Sequence, residues 1–143
     1  MWTCFFNVGA FVMTEKVGQN SLVAGDHGTT YGGNPLGGAA ISKVFDLYDE
    51  LNVLDNVNEV SKYLYEKLDE VASKHSDIIE HRGKGFMQGL EFNKPVADII
   101  SKALDKGLVL INAGTNIVRI MPPLVIKCEH VDEMIDILES VLD

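Results

Sequence analysis

The stretch Gly25-Asp-His-Gly-Thr-Thr-Tyr-Gly-Gly-Asn-Pro35 holds a dense set of groups able to bind a ligand. Its glycines let the backbone lie close against a neighbour, and the adjacent hydroxyls of Thr29 and Thr30 can donate to an anion. With free backbone N–H groups and the start of a helix behind them, that chemistry suits a phosphate. No Gly-Lys-Ser/Thr follows, so the stretch is not a P-loop. Spacing by itself favours a plainer reading, a glycine-rich turn whose threonines bond their own backbone.

In Ile117-Val-Arg-Ile-Met-Pro-Pro-Leu-Val-Ile126 a single arginine, Arg119, interrupts an apolar strand. Alternation puts it on the face shared by Ile117 and Met121. The planar fork of a guanidinium matches a carboxylate. An exposed edge position, or a structural Asp or Glu partner, fits the same pattern equally well. A third stretch, His81-Arg-Gly-Lys-Gly-Phe-Met-Gln-Gly-Leu-Glu91, reads as a hairpin. Lys84 at its tip is expected to be a solvated charge rather than a catalytic amine, and Gly83, Gly85 and Gly89 to serve turn and packing geometry.

The other candidates carry less. His27, His75, His81 and His130 show no metal-ligand spacing and no triad-like serine or cysteine, so no metal site is expected. His75 and His130 read as surface residues, and His27 as shaping its loop. Dispersed carboxylates read as solvating charge. Cys4 and Cys128 form no CxxC pair; a disulfide stays open, but reduced thiols in a cytosolic protein are preferred.

These residues need elements to hold them. The first thirty-odd residues read as irregular. From Asn34 the chain becomes regular: Asn34 caps and Pro35 opens a helix with Leu36, Ala39, Ala40, Val44, Leu47 and Leu51 apolar. Asp55 or Asn56 could cap a second helix, whose stripe is Val57, Val60, Leu64, Leu68 and Val71. Strands follow at 78–82 and 86–92, turning on Gly83-Lys84-Gly85. Asn93-Lys94-Pro95 opens a third helix that ends at Gly107. Two further strands are predicted at 108–111 and 117–121, the second stopped by Pro122-Pro123. A last helix, acidic at its start, carries Val131, Met134, Ile135, Leu138 and Leu142. The order predicts an α+β fold, a small, mostly antiparallel sheet covered by helices, which by itself names no function.

The chain's 143 residues are enough for one domain with a real core. A formal net charge of −9 argues against nucleic acid or an anionic membrane as partner. The apolar start, Met1-Trp-Thr-Cys-Phe-Phe-Asn-Val-Gly-Ala-Phe-Val-Met13, lacks basic residues ahead of it and falls short of the roughly 20 apolar residues that span a bilayer. It reads as a buried segment, and the protein as cytoplasmic. There is no internal repeat.

Taken together and in order, the three stretches resemble the class III, fold-type I pyridoxal-phosphate aminotransferases, from Val8 to the C-terminus. The resemblance implies amino-group transfer, a pyridoxal 5′-phosphate cofactor and a homodimer. It implies that residues 34–143 are a linking helix plus a C-terminal small domain. Residues 1–33 would be a remnant of the large cofactor-binding domain, expected to be mobile. Thr29 and Thr30 would bind the cofactor phosphate of the neighbouring subunit, and Arg119 the α-carboxylate of the amino-acid substrate. Met1-Trp-Thr-Cys-Phe-Phe-Asn7 departs from the family's glycine-rich turn, so the Schiff-base lysine would fall upstream of Met1. Lys16 and Lys84 occupy other family positions. No catalytic residue, no cofactor binding and no transamination are therefore expected of this chain alone. Two rival readings are a relative acting on another amine and a stand-alone module that binds a partner or a carboxylate.

Overall fold

The computed structural model describes residues 12–23, 25–30 and 32–142. Most of the apolar start, with Cys4, lies outside the described residues. The chain divides into two compact units, Trp2–Glu50 and Leu51–Asp143.

In the first unit a single turn, α1 (Glu15–Gly18), precedes the long helix α2 (Pro35–Glu50). Asn34 caps α2 as its sequence requires: Oδ1 accepts from the Leu36 N–H at 2.9 Å, while Pro35 opens the helix without an N–H to satisfy. The inward side differs from the stripe expected. Leu36, Ala39 and Leu47 are exposed, and the sheltered side runs through Gly37, Ala40, Ile41, Val44 and Tyr48. Leu36 and Leu47 flank that side on one edge and Phe45 on the other, so the apolar arc is wider than the sheltered part and periodicity does not fix which part turns inward.

The second unit is α3 (Val53–Lys74), β1 (Ile78–Lys84), β2 (Met87–Phe92), α4 (Ala97–Asp105), β3 (Ile111–Ala113), β4 (Ile117–Ile120) and α5 (Cys128–Leu142). Helix α3 starts earlier than either predicted cap. Asn52 precedes it with φ 48°, a left-handed conformation that asparagine tolerates, and its carbonyl accepts from the Asn56 N–H. The Asn56 side chain instead donates to the carbonyls of Leu124 (2.9 Å) and Ile126 (3.1 Å), tying α3 to the chain beyond the two prolines.

The sheet order is β1-β2-β4-β3, every neighbour antiparallel. The first hairpin turns on Gly85-Phe86, one residue later than predicted, because Gly85 adopts φ +58° at the first central position and Lys84 still pairs with Met87. Strand β3 also comes later than expected: only three residues after Leu110 pair, Ile111 with Arg119 and Ala113 with Ile117. Leu108 serves α4 instead. Leu108 N–H reaches the Ala103 carbonyl (2.8 Å) and Gly107 N–H that of Leu104 (2.9 Å), a Schellman end made possible by φ +88° at Gly107.

One face of the sheet carries Leu90, Phe92, Val118 and Ile120, all at most 3% exposed, against Leu64 and Leu68 of α3, Ala103 of α4 and Val131 and Leu138 of α5. Polar ties clamp the helix layer: Tyr63 donates to Asp132 (2.6 Å), Lys74 pairs with Glu139 (2.7 Å), and Lys106 reaches the Ser140 carbonyl in the last turn of α5 (3.0 Å). The fold is therefore the α+β arrangement expected, with a fully antiparallel sheet.

Candidate functional site

Two-residue alternation in β4 decides where Arg119 goes. Val118 and Ile120 face the helices, so Arg119 emerges on the other face, exposed, beside Ile117 and Met121 as the pattern indicated. It is held between Gly89 of β2 and Ile111 of β3 in register. Among the described residues its guanidinium has no ion pair or hydrogen bond. The chain's other arginine, Arg82, sits one strand beyond Gly89 in the same row. Its treatment is opposite. Arg82 pairs with Glu80 and, at 2.7 Å, with Glu91, and the Glu91 hydrogen bond raises its pKa. The face thus carries one neutralised guanidinium and one open one.

The threonine loop lies in the other unit. Thr29 and Thr30 are exposed, between Gly25 (φ +102°) and Gly33 (φ +70°), two positions a side chain would strain. Asp26 Oδ2 accepts from the Val23 N–H at 2.9 Å, and Gly32 N–H approaches the Thr29 carbonyl at 3.4 Å. The helix start behind the loop contributes less than its sequence suggested. Pro35 has no N–H and that of Leu36 is taken by Asn34, so an anion would be held chiefly by the hydroxyls.

A buried polar chain escaped the sequence reading. Gln88 is 2% exposed on the core face, its Nε2 donating to the Gly85 carbonyl at 2.7 Å. That fixes Oε1 toward His81 Nε2 at 3.1 Å, so this nitrogen carries the hydrogen. The His81 ring stacks on Tyr65 with centroids 4.4 Å apart, and its Nδ1 faces Asp69 at 3.5 Å. A Cβ at Gly83 would overlap Gln88 Oε1 and the Met87 carbonyl, which gives that glycine the packing role expected. The available signal was parity, since Gln88 shares a strand face with Leu90 and Phe92. Of the remaining candidates, Lys84 is exposed, and His130 is exposed with its Nδ1 accepting from the Lys127 N–H at the start of α5. Cys128 is an exposed free thiol. Among the described residues no His, Cys, Asp and Glu cluster could hold a metal ion, and no helix is long and apolar enough to cross a membrane.

The sequence and fold of the chain resemble those of known proteins. Residues 3–142 match the class-III aminotransferases. The chain belongs to that family. The match begins at Thr3, within the stretch that looked foreign to it. The acetylornithine aminotransferase of Clostridium acetobutylicum is 44% identical over 136 residues, covering 94% of this chain and 35% of that protein. Among solved structures, the ornithine δ-aminotransferase of Plasmodium falciparum superposes with a TM-score of 0.78 at 31% identity, over 85% of this chain and 32% of its own. The acetylornithine aminotransferase of Elizabethkingia anophelis gives 0.77 at 25% identity, over 85% and 31%. The chain thus spans about a third of the length of the relatives it matches.

Proposed function

We propose that this chain is the C-terminal portion of an aminotransferase that moves an amino group between N-acetylornithine and 2-oxoglutarate, a step of arginine biosynthesis, in a cytoplasmic homodimer. The observation that carries the reading is the unpaired Arg119 guanidinium on the open sheet face, in a chain 39–44% identical to three acetylornithine aminotransferases. Arg119 would hold the α-carboxylate of the amino-acid substrate through its two-pronged donor set. In this reading residues 1–33 are a remnant of the large cofactor-binding domain, and residues 34–143 comprise the linking helix and small domain.

Pyridoxal 5′-phosphate, when bound, supplies the electron sink for such chemistry, while the protein binds and orients it. The described residues fit its phosphate end only. Thr29 and Thr30 are exposed hydroxyl donors on a backbone kept close by glycine, and they would serve a neighbouring subunit's cofactor. In this reading no lysine of the 143 residues stands in the position that carries the cofactor. We infer that the chain alone binds no pyridoxal phosphate specifically and does not transaminate. The experiment is to add pyridoxal phosphate to the purified chain and follow the visible spectrum. No saturable band is expected beyond that of a lysine-rich control protein. A saturable band, removed by substituting one lysine, would refute the inference.

The 31% identity to an ornithine δ-aminotransferase, at a TM-score of 0.78, favours one second reading, a relative that acts on a different amine. Joined to large-domain sequence, the chain should then use ornithine, succinylornithine or 4-aminobutyrate in preference to N-acetylornithine. Relative kcat/KM for these amines decides between the readings.

A further inference from the structure

We propose that Gly89 keeps the sheet open beside Arg119, and thereby leaves room for the aliphatic chain of a carboxylate that Arg119 holds. The inference rests on the reading of Arg119 as a carboxylate holder. Gly89 is mid-strand in β2, flanked in register by Arg82 on one side and Arg119 on the other. Its outward neighbours along the strand are Met87 and Glu91, so the missing side chain leaves a gap between longer ones.

Among the described residues nothing calls for glycine there. Its φ is not in the left-handed range, unlike that of Gly85, Gly107 or Gly114. A Cβ at 89 would meet Ile117 Cγ2 at 3.6 Å, the Arg82 carbonyl at 3.7 Å and the Val118 carbonyl at 4.0 Å, all ordinary contacts. Gly83 contrasts with it, having no such room. Glycine inside a central strand destabilises relative to alanine, and its use there accompanies close approach by something from outside.

The surroundings name the chemistry of that visitor. Arg82 is already held by Glu80 and Glu91, which leaves Arg119 as the free cation in the row. Met87, Ile117 and Met121 add apolar surface on the same face. A carboxylate on Arg119 can thus run its aliphatic chain over the bare backbone at 89. A side chain there would stand about 5 Å from the Cβ of Arg119, alongside the path of the ligand.

The chain has only two arginines, so its Arg Nε–H signals number two and Arg119→Lys assigns them. The test titrates the intact chain with glutarate at constant ionic strength and follows both signals by NMR. Wild type should show a saturable shift at Arg119 with Arg82 unmoved. Gly89→Ala should keep or raise the thermal midpoint yet bind glutarate about threefold more weakly, and Gly89→Val about tenfold. If both variants bind as wild type does, the role of Gly89 is refuted while that of Arg119 stands. A fall in midpoint for Gly89→Ala also refutes it, because the glycine would then serve packing. If valine prevents folding, alanine alone decides. A wild-type Arg119 signal that does not move overturns the carboxylate reading itself.

Discussion

Replacing Gln88 by leucine tests the buried polar chain in the core. Leucine keeps the apolar volume but removes the acceptor for His81 Nε2–H and the donor to the Gly85 carbonyl. The His81 side chain is 1% exposed, so its N–H has no water to turn to; Gly85 is half-buried and recovers part of its loss. A buried group left without a partner costs about 1–3 kcal/mol, which puts Gln88→Leu near 2–3 kcal/mol for the two groups together. Against a typical total of about 5–15 kcal/mol this is a large fraction. With a urea slope of about 1–3 kcal/mol/M the midpoint should fall by roughly 0.7–3 M, with the slope itself unchanged. His81→Phe supplies the control. It keeps a ring on Tyr65, and in the Gln88→Leu background it removes the orphaned N–H, so the double variant should recover about 1 kcal/mol or more relative to additivity. A single-variant loss under about 0.5 kcal/mol, or strict additivity, would show that the hydrogen bond holds nothing together.

Three further outcomes are expected. Leu64 is fully buried in the α3 stripe, so Leu64→Ala should lose about 2–5 kcal/mol in urea denaturation, which separates a packed core from a loose one. The hydrogen bond to Asp132 raises the Tyr63 pKa to about 12, above its ordinary value near 10. Its contribution to stability is therefore present below about pH 10 and lost as pH rises through about 12, and Tyr63→Phe should flatten that alkaline fall in thermal midpoint. At the other end, Lys94 holds the Asp77 pKa low and Lys74 that of Glu139. Their contributions exist above the ordinary carboxylate range and fade as pH falls through the lowered values. Lys94→Met with Lys74→Met should shrink the acid-side loss, weakly and less at high salt since both pairs are exposed; an unchanged acid limb would contradict this.

Elements whose apolar side is unambiguous were legible in the sequence. The stripe of α3 and that of α5 sit where period 3.6 put them, and alternation in β4 set Arg119 on the face of Ile117 and Met121, although only the fold shows that face to be open. The misreadings share one cause, which is competition between local signals of similar strength. Helix α2 has an apolar arc wider than the part it shelters, the hairpin offers two glycines for one positive φ, and residues 108–110 are as strand-like as Ile111–Ala113 but begin with Leu108, which is held by the end of α4. Asn56 illustrates a further gap. Its capping chemistry was visible, but carbonyls 68 and 70 residues away could be assigned only by the fold.

The candidate groups also differ in what holds them. Arg119 stands on a strand whose alternate residues, Val118 and Ile120, are locked in a core shared by the sheet and three helices, so its backbone is fixed whether or not a ligand is present. Pre-set geometry of this kind lowers the ordering cost of binding. Thr29 and Thr30 stand on exposed backbone beside glycines of positive φ, followed by a helix in which only Gly37 is buried. A phosphate bound there must itself supply much of the order. The carboxylate end of the proposed chemistry is thus built into the second unit, and mutating Arg119 should change ligand binding without changing stability. The phosphate end should gain its geometry only as its ligand and a neighbouring subunit arrive.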